Sequence, residues 1–117
     1  MKLPIEYIGK VVKVIIDRPL GTVHPRYDDF VYPINYGYIP NIISGDGEEL
    51  DCYILGEIEP LVEFEGKCIA VIHRFNDNED KLVISNKEFS DEEIRELVNF
   101  QEKYFESEII RGTKNEI

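Results

Sequence analysis

The sequence predicts a mainly β fold, namely a small antiparallel β-barrel with one helix in the C-terminal part of the chain. Short β-branched runs, separated by Gly, Asp and Asn turns, recur as far as Asn86. No helical pattern alternates with these runs, which disfavours a parallel βαβ sheet. A single amphipathic pattern of helical spacing then follows. The length of 117 residues fits one domain spanning 1–117.

Five segments have the composition of strands, since each combines β-branched or aromatic residues and is bounded by turn residues. The predicted strands are Lys10–Asp17, Phe30–Pro40, Leu50–Gly56, Lys67–Phe75 and Lys81–Asn86. The second is rich in tyrosine and is interrupted by Pro33. Gly37 within it permits the close approach of another group, because it carries no side chain.

The predicted helix spans about 90–109. Ser90 followed by Glu93 has the pattern of a capping box at its start, and Gly112 is a plausible stop. Six apolar residues recur at helical spacing and predict a face packed on the sheet. They are Ile94, Leu97, Val98, Tyr104, Phe105 and Ile109. The acidic residues of this segment, Glu92, Glu96 and Glu102, are interpreted as a solvent-exposed face.

The two cysteines, Cys52 and Cys68, lie in apolar runs and form no CxxC pair, so we expect buried free thiols and no thiolate zinc site. The N-terminal sequence MKLPIEYIGK has no apolar region of the signal-peptide type. No apolar run reaches membrane-spanning length. We therefore expect a cytoplasmic protein.

The chain is acidic, with 24 Asp and Glu residues against 13 Lys and Arg residues and a net charge of −11. Nucleic acid and anionic membranes repel such a charge and are not expected as partners. Residues 41–70 hold eight acidic residues and one basic residue. A small phosphate substrate stays compatible with this charge if a cation lies between it and the acidic side chains.

Two acidic turns are candidates for holding that cation. The first, Ser44–Asp51 (SGDGEELD), brings Asp46, Glu48 and Asp51 together around flexible glycines. Crowded carboxylates without nearby Cys or His favour magnesium, manganese or calcium over zinc. The second, Asn76–Lys81 (NDNEDK), joins two predicted strands, and an ordinary acidic hairpin turn is the alternative interpretation.

Three sequence blocks, YPINYGYIP, DGEELD and NDNEDKLV, together resemble the magnesium-dependent, β-barrel (family I) soluble inorganic pyrophosphatases. The order and spacing of the first two blocks match the tyrosine block and the D-G-D-P-x-D signature of that family. The resemblance implies an OB-like barrel that hydrolyses inorganic pyrophosphate to phosphate through a metal-activated water. It further implies Mg²⁺ as cofactor, with Mn²⁺ as the alternative, a small phosphate substrate and a homo-oligomer.

The resemblance also assigns metal-binding roles to four carboxylates. These are Asp46, Asp51, Asp77 and Glu79, with Asn76 as the alternative to Asp77. Glu48 falls where the family has the aspartate that activates the attacking water.

Further matched positions concern the phosphate groups. Tyr36 matches a tyrosine that helps to hold the metal and the phosphate, and Lys81 matches a lysine expected to clamp the leaving phosphate. Tyr32 opens the tyrosine block and is expected to reach a phosphate. The family's phosphate-binding arginine has no clear match, and His24 or Arg26 could serve in its place. Lys81 is expected to be helped in clamping the leaving phosphate by His24, Arg26 or Arg74.

The sequence departs from the family pattern at several positions. Glu48 replaces an aspartate, Glu49 replaces a proline, and Ile15 stands where the family has a strand glutamate. The family's C-terminal Tyr-Lys pair is absent, since Glu108 and Ile109 fall there. These departures keep two alternatives open: hydrolysis of another diphosphate substrate, and a non-catalytic metal- or ligand-binding barrel of the same fold.

Overall fold

The β-branched runs of the sequence form six strands in the computed structural model, which describes residues 4–27, 29–43, 49–75 and 79–112, without the side chain of Ile43. The elements in chain order are a 3₁₀ turn at Pro4–Tyr7, β1 (Val11–Arg18), β2 (Asn35–Ile43), β3 (Glu49–Ile54), β4 (Glu63–Arg74), β5 (Asp80–Ser85), α1 (Asp91–Glu102) and β6 (Ser107–Ile110). Each of the five predicted strands is thus present, with ends that differ from the prediction by at most five residues.

Strands β1 to β5 close into a barrel in the order β1-β2-β3-β5-β4, because β4 pairs with β1 as well as with β5. This confirms the predicted mainly β barrel. Four of the five barrel pairs in the described residues are antiparallel, as expected, but β3 and β5 are parallel. Parallel neighbours need a long connection, and here the whole of β4 supplies it.

The side-chain alternation of the strands separates two apolar clusters. One fills the barrel interior and includes Cys52, Ile54, Leu82 and Ile84. The other lies on the outer face of the sheet beneath α1 and includes Tyr53, Leu55 and Val83 from the same strands. Because α1 covers the outer face, β3 and β5 are buried on both sides and read as continuous apolar runs. The cysteines are free and buried, as expected.

The start of α1 confirms the capping box. Ser90 Oγ accepts a hydrogen bond from the Glu93 amide at 3.1 Å, and Glu93 Oε1 accepts one from the Ser90 amide at 2.8 Å. Ile94 and Val98 pack against the outer face of the sheet. No helix in the described ranges is both long enough and apolar enough to cross a membrane.

The predicted C-terminal end of the helix is wrong. The helix ends at Glu102 with Lys103 as its C-cap, and neither Ile109 nor Gly112 belongs to a helical turn. The segment Ser107–Ile110 pairs with β4 instead. A short apolar run fits helix and strand periods alike, so pairing with an available strand edge decides its structure.

The predicted second strand begins five residues too early. Residues 30–34 belong to a connecting segment, in which Val23 and Val31 form an isolated bridge, and β2 starts at Asn35. Pro33 lacks an amide donor for a sheet ladder, which accounts for the later start. The completely buried Asn35 side chain accepts hydrogen bonds from the amides of Leu20 and Leu61 and donates to the carbonyl of Glu59. This one amide therefore ties two connecting segments to the barrel.

Gly37 lies where β1 and β2 approach closely, since a Cβ at this position would clash with the backbone of Ile15 and Ile16. We expect Gly37→Ala to lower the free energy of unfolding by about 2 kcal/mol or more, because backbone atoms must shift to make room. Urea unfolding followed by circular dichroism measures the change. Val11→Thr, an isosteric change at an exposed site of β1, is the control and is expected to stay within about 0.5 kcal/mol of wild type. Equal stability of Gly37→Ala and wild type would contradict the close approach.

The buried thiols predict sensitivity to alkaline pH. Burial raises the pKa of Cys68 from 9.0 to about 12, and burial also raises the pKa of Cys52 well above its ordinary value. Above pH 9 the unfolded chain releases thiol protons that the folded chain retains, so stability is expected to fall as pH rises from about 9 toward about 12. Urea midpoints at a series of pH values test this, with Cys68→Ala expected to show a shallower decline. Rapid labelling of the native thiols by Ellman's reagent at pH 8 would refute the burial.

Candidate functional site

A cavity of about 960 Å³ lies between the outer face of the sheet, the segment that joins β1 to β2, and the C-terminal part of α1. Its charged lining residues in the described part of the chain are Asp17, Arg18, Asp29, Asp51, Arg74, Lys81 and Lys103. Basic residues outnumber acidic ones here by four to three, in a chain whose net charge is −11. The cavity therefore offers cationic contacts to an anionic ligand.

The strand period explains why distant residues meet at this cavity. Side chains two apart on a strand share a face, so Asp51 lies on the face of Tyr53, Lys81 on that of Val83, and Arg74 on that of Ile72. All three apolar partners belong to the cluster beneath α1. The polar residues continue that face beyond the apolar cluster and line the cavity.

Lys81 is the centre of the polar contacts, although only 3% of it is exposed. Its Nζ lies 2.8 Å from Asp51 Oδ2 and 2.6 Å from Glu79 Oε1. The Tyr36 hydroxyl donates to the same Asp51 oxygen at 3.0 Å. We call Tyr36, Asp51 and Lys81 the cavity floor. Glu79 contacts this floor through Lys81. The described structure thus brings together four residues matched to the family, namely Tyr36, Asp51, Glu79 and Lys81.

The tyrosine of the floor is a firm hydrogen-bond donor. Burial, followed by the neighbouring Asp51 carboxylate, raises the pKa of Tyr36 well above 10. Its hydroxyl therefore keeps its proton throughout the neutral range and orients the Asp51 carboxylate.

Arg74 lines the cavity but directs its guanidinium to other side chains. Its Nε and Nη2 donate to the two oxygens of Glu102 at 3.1 and 2.7 Å, and its Nη1 donates to Glu79 at 2.9 Å. The guanidinium also lies 3.7 Å from the centre of the Phe105 ring. These contacts bind the ends of β4, β5 and α1 together.

Glu102 is not solvent-exposed as the sequence interpretation has it, since only 6% of it is accessible. It also accepts a hydrogen bond from the Tyr53 hydroxyl at 2.6 Å. The signal that could reveal it is its spacing, because Glu102 continues the buried positions Ile94 and Val98 at intervals of four. A carboxylate on the apolar stripe of a helix requires a buried partner.

The segment between β1 and β2 contributes an aromatic wall. Tyr32 is buried, and the ring of His24 stacks on it with an interplanar angle of 5°. The Arg26 amide donates to His24 Nδ1 at 3.0 Å, which leaves Nε2 as the protonated nitrogen of the neutral ring. His24 and Tyr32 line the cavity, whereas the side chain of Arg26 is exposed and Arg26 is not among the lining residues described.

Four charged lining residues, Asp17, Arg18, Asp29 and Lys103, have no role in the sequence interpretation. Asp17 and Arg18 end β1, and Lys103 caps α1. Partial burial raises the pKa of Asp17, the Arg18 guanidinium opposes this, and the Asp51 carboxylate adds to it. The Asp17 and Asp51 carboxylates therefore repel each other at the cavity.

The sequence places Glu108 and Ile109 where the family has its C-terminal Tyr-Lys pair, and neither of these two residues is among those described as lining the cavity. Glu108 lies in β6 opposite His73, and Ile109 lies opposite Ile72. The adjacent Lys103 and Tyr104 line the cavity instead. The predicted helix runs to residue 109, about two turns beyond the observed end of α1, so it does not place Lys103 and Tyr104 at the helix end beside the cavity.

Three predicted residues of the acidic turns, Asp46, Glu48 and Asp77, lie outside the described residues, as does Asn76. Within the ranges that the structure describes, no three His, Cys, Asp or Glu side chains are arranged to hold a metal ion. Asp51 belongs to the first acidic turn and Glu79 to the second, and both contact Lys81. The roles of the matched residues stay predictions.

The structure is a closed five-stranded barrel with a C-terminal helix, and a cavity lined by cationic and carboxylate side chains lies beside that helix. Comparison with family models then identifies the family, since the model described as inorganic pyrophosphatase matches residues 6–114. The chain belongs to the inorganic pyrophosphatase family, which confirms the resemblance found in the sequence blocks.

Curated relatives agree with this family. The chain is 39% identical over 62 residues to the inorganic pyrophosphatase of Saccharolobus solfataricus, covering 50% of this chain and 36% of that protein. It is 38% identical over 84 residues to the inorganic pyrophosphatase of Haemophilus influenzae, covering 68% of this chain and 44% of that protein. The chain spans less than half the length of these curated relatives.

Solved structures agree with the fold. An inorganic pyrophosphatase from Neisseria gonorrhoeae has a TM-score of 0.64 and 25% identity, covering 82% of this chain and 74% of that one. The enzyme from Ehrlichia chaffeensis has a TM-score of 0.69 at 18% identity, covering 91% of this chain and 88% of that one. At 18% identity the second likeness shows the fold alone.

Lys81 is expected to stabilise the site because it bridges two carboxylates. We expect Lys81→Met to lower the free energy of unfolding by about 1–3 kcal/mol, since it leaves both carboxylates without their shared donor. Urea unfolding at neutral pH measures the loss. Lys13→Met is the matched control, because the Lys13–Glu63 pair is more than half exposed and is expected to contribute below about 1 kcal/mol. Equal losses in the two variants would contradict the bridging role.

Proposed function

We propose that the chain hydrolyses inorganic pyrophosphate to phosphate in a reaction that requires a divalent metal ion, Mg²⁺ or alternatively Mn²⁺. The observation that carries the proposal is the convergence of Asp51 and Glu79 on Lys81 beside the cavity, in a chain of this family. The cationic lining of the cavity supports an anionic substrate.

The chemistry of the described donors fits such a metal ion. Asp17 and Asp51 line the cavity with carboxylate oxygens, which are the ligands of hard divalent cations. In the proposal, Asp46, Asp51, Asp77 and Glu79 hold the metal. When bound, a divalent cation would neutralise phosphate charge and make a bound water more acidic.

Side chains of the chain would carry out the proton transfer, stabilise the leaving phosphate and orient the Asp51 carboxylate. Glu48 would accept the proton of the attacking water, whose oxygen forms a bond to one phosphorus while the bridging P–O bond breaks. The leaving phosphate would take the electron pair of that bond and meet the ammonium of Lys81. Tyr36 would keep the Asp51 carboxylate in one orientation through its hydroxyl.

The remaining contacts would bind the substrate at the cavity wall. His24 and Tyr32 line the cavity on the side formed by the segment between β1 and β2. In the proposal His24 and Tyr32 contact phosphate oxygens. Arg74 is left out because its guanidinium donates to Glu79 and Glu102, and Arg26 because it is not among the described lining residues. Arg18 at the end of β1 and Lys103 at the end of α1 also line the cavity, and in the proposal they attract the anionic substrate. We extend the proposal to a cytoplasmic homo-oligomer, on the family resemblance alone.

A second candidate function is hydrolysis of a larger diphosphate ester. The cavity of about 960 Å³ lies at the upper end of the range for small-molecule sites and exceeds what pyrophosphate needs. Tyr27 and Tyr104 line it and are more than half exposed, so their rings offer stacking surfaces to a base or sugar. Nucleotide and sugar diphosphates, compared with pyrophosphate by phosphate release, separate the two candidates.

The proposal predicts that the purified chain with Mg²⁺ releases phosphate from pyrophosphate. Asp51→Asn is expected to lower kcat/KM by about 100-fold, since it removes the charge of a metal-binding and lysine-binding group. A colorimetric phosphate assay measures this. Glu96→Gln, an exposed carboxylate of α1, is the control and should retain wild-type activity. Absence of phosphate release with Mg²⁺, Mn²⁺ and Co²⁺ would sink the proposal, and metal binding without turnover on any diphosphate would identify a non-catalytic barrel.

A further inference from the structure

The last residue of α1, Glu102, occupies a position that disfavours a carboxylate. The carbonyl groups at a helix C-terminus carry partial negative charge and attract cations. The last turn of α1 contains no basic residue, and Glu102 is almost completely buried there. A carboxylate in such a place requires a strong partner outside the helix.

That partner is Arg74 at the end of β4. The two side chains are 4% and 5% exposed and form a bidentate pair through Nε and Nη2. Tyr53 donates to the same carboxylate, and Gln101 in turn donates to the Tyr53 hydroxyl. The orientation of Arg74 is therefore fixed from the side of the helix.

The same guanidinium continues toward the cavity floor. Arg74 Nη1 donates to Glu79 Oε1 at 2.9 Å, and that oxygen lies 2.6 Å from Lys81 Nζ. Lys81 then reaches Asp51 at 2.8 Å. Carboxylates and cations alternate along this row, which we call the charge row: Glu102, Arg74, Glu79, Lys81 and Asp51. Its two ends lie on different elements, α1 and β3.

We propose that Glu102 is a positioning residue, which orients Arg74 and, through Glu79, holds Lys81 against Asp51. Glu102 is not among the residues described as lining the cavity, so it acts through the charge row. The inference rests on the proposed function in that Asp51 and Glu79 are taken as metal-binding groups.

A purely structural role makes a different prediction. If Glu102 only attaches α1 to the sheet, its loss lowers the unfolding midpoint but leaves metal affinity unchanged. If it positions the charge row, its loss weakens metal binding in protein that is still folded. Partners that orient metal ligands commonly change metal affinity by about 10- to 100-fold.

The experiment compares Glu102→Gln with Glu96→Gln, since both remove one negative charge from α1 and only the first lies in the charge row. Mn²⁺ binding is measured by calorimetry, pyrophosphate hydrolysis by phosphate release, and folding by circular dichroism. Glu102→Gln is expected to raise the Kd for Mn²⁺ about tenfold and to lower kcat/KM, whereas Glu96→Gln stays within about twofold of wild type. Wild-type Mn²⁺ affinity in folded Glu102→Gln would overturn the proposal.

A double-mutant cycle tests the route through Arg74. If Glu102 acts through this arginine, the variant with both Glu102→Gln and Arg74→Lys should bind Mn²⁺ no more weakly than the worse single variant. If the fold-loss of Mn²⁺ affinity in the double variant equals the product of the two single losses, Glu102 does not act through Arg74. If Glu102→Gln does not fold, Glu102→Asp decides, because it keeps the charge and withdraws the carboxylate: weaker Mn²⁺ binding supports the proposal and unchanged binding refutes it.

The outcome for the proposed function is separate. A wild-type chain that binds Mn²⁺ but releases no phosphate from pyrophosphate refutes the function, and the calorimetric comparison still decides the role of Glu102. A wild-type chain that binds no Mn²⁺ overturns the positioning role itself.

Discussion

The burial of one ammonium group constrains the arrangement of the whole cavity. Lys81 is almost completely buried at the floor of the cavity, where an unpaired charge would cost several kcal/mol. Asp51 and Glu79 supply the compensating charge, and Tyr36 and Arg74 then fix those carboxylates. The positions of strands β2 to β5 and of α1 at this end of the cavity follow from satisfying that single cation.

The same constraint changes how the acidity of the chain is understood. A net charge of −11 suggests a protein that repels phosphate, yet the described cavity lining carries more cations than carboxylates. Acidic residues are distributed over the surface and the two turns, while Arg18, Lys81 and Lys103 are concentrated at the cavity. Bulk charge governs solubility and long-range encounter, whereas the local arrangement governs binding.

The barrel strands and the start of the helix could be predicted from the sequence because both depend on local patterns. Alternation and turn residues located β1 to β5, and the Ser90–Glu93 pair located the start of α1. The parallel β3–β5 pair and strand β6 depend on which sheet edges lie free after folding, and no local pattern encodes that. The cavity floor was found through family motifs, but Glu102 was missed because its role depends on Arg74, 28 residues away in the chain.

The parallel pairing of β3 with β5 has a consequence for how the chain folds. Asp51 and Lys81 are 30 residues apart, and they meet only after β5 has inserted between β3 and β4. Contacts of such sequence separation form late, because the entropy of closing the intervening loop must be lost first. The cavity floor therefore depends on the long-range pairing of β3 with β5 and of β5 with β4, and not on any one hairpin of the barrel.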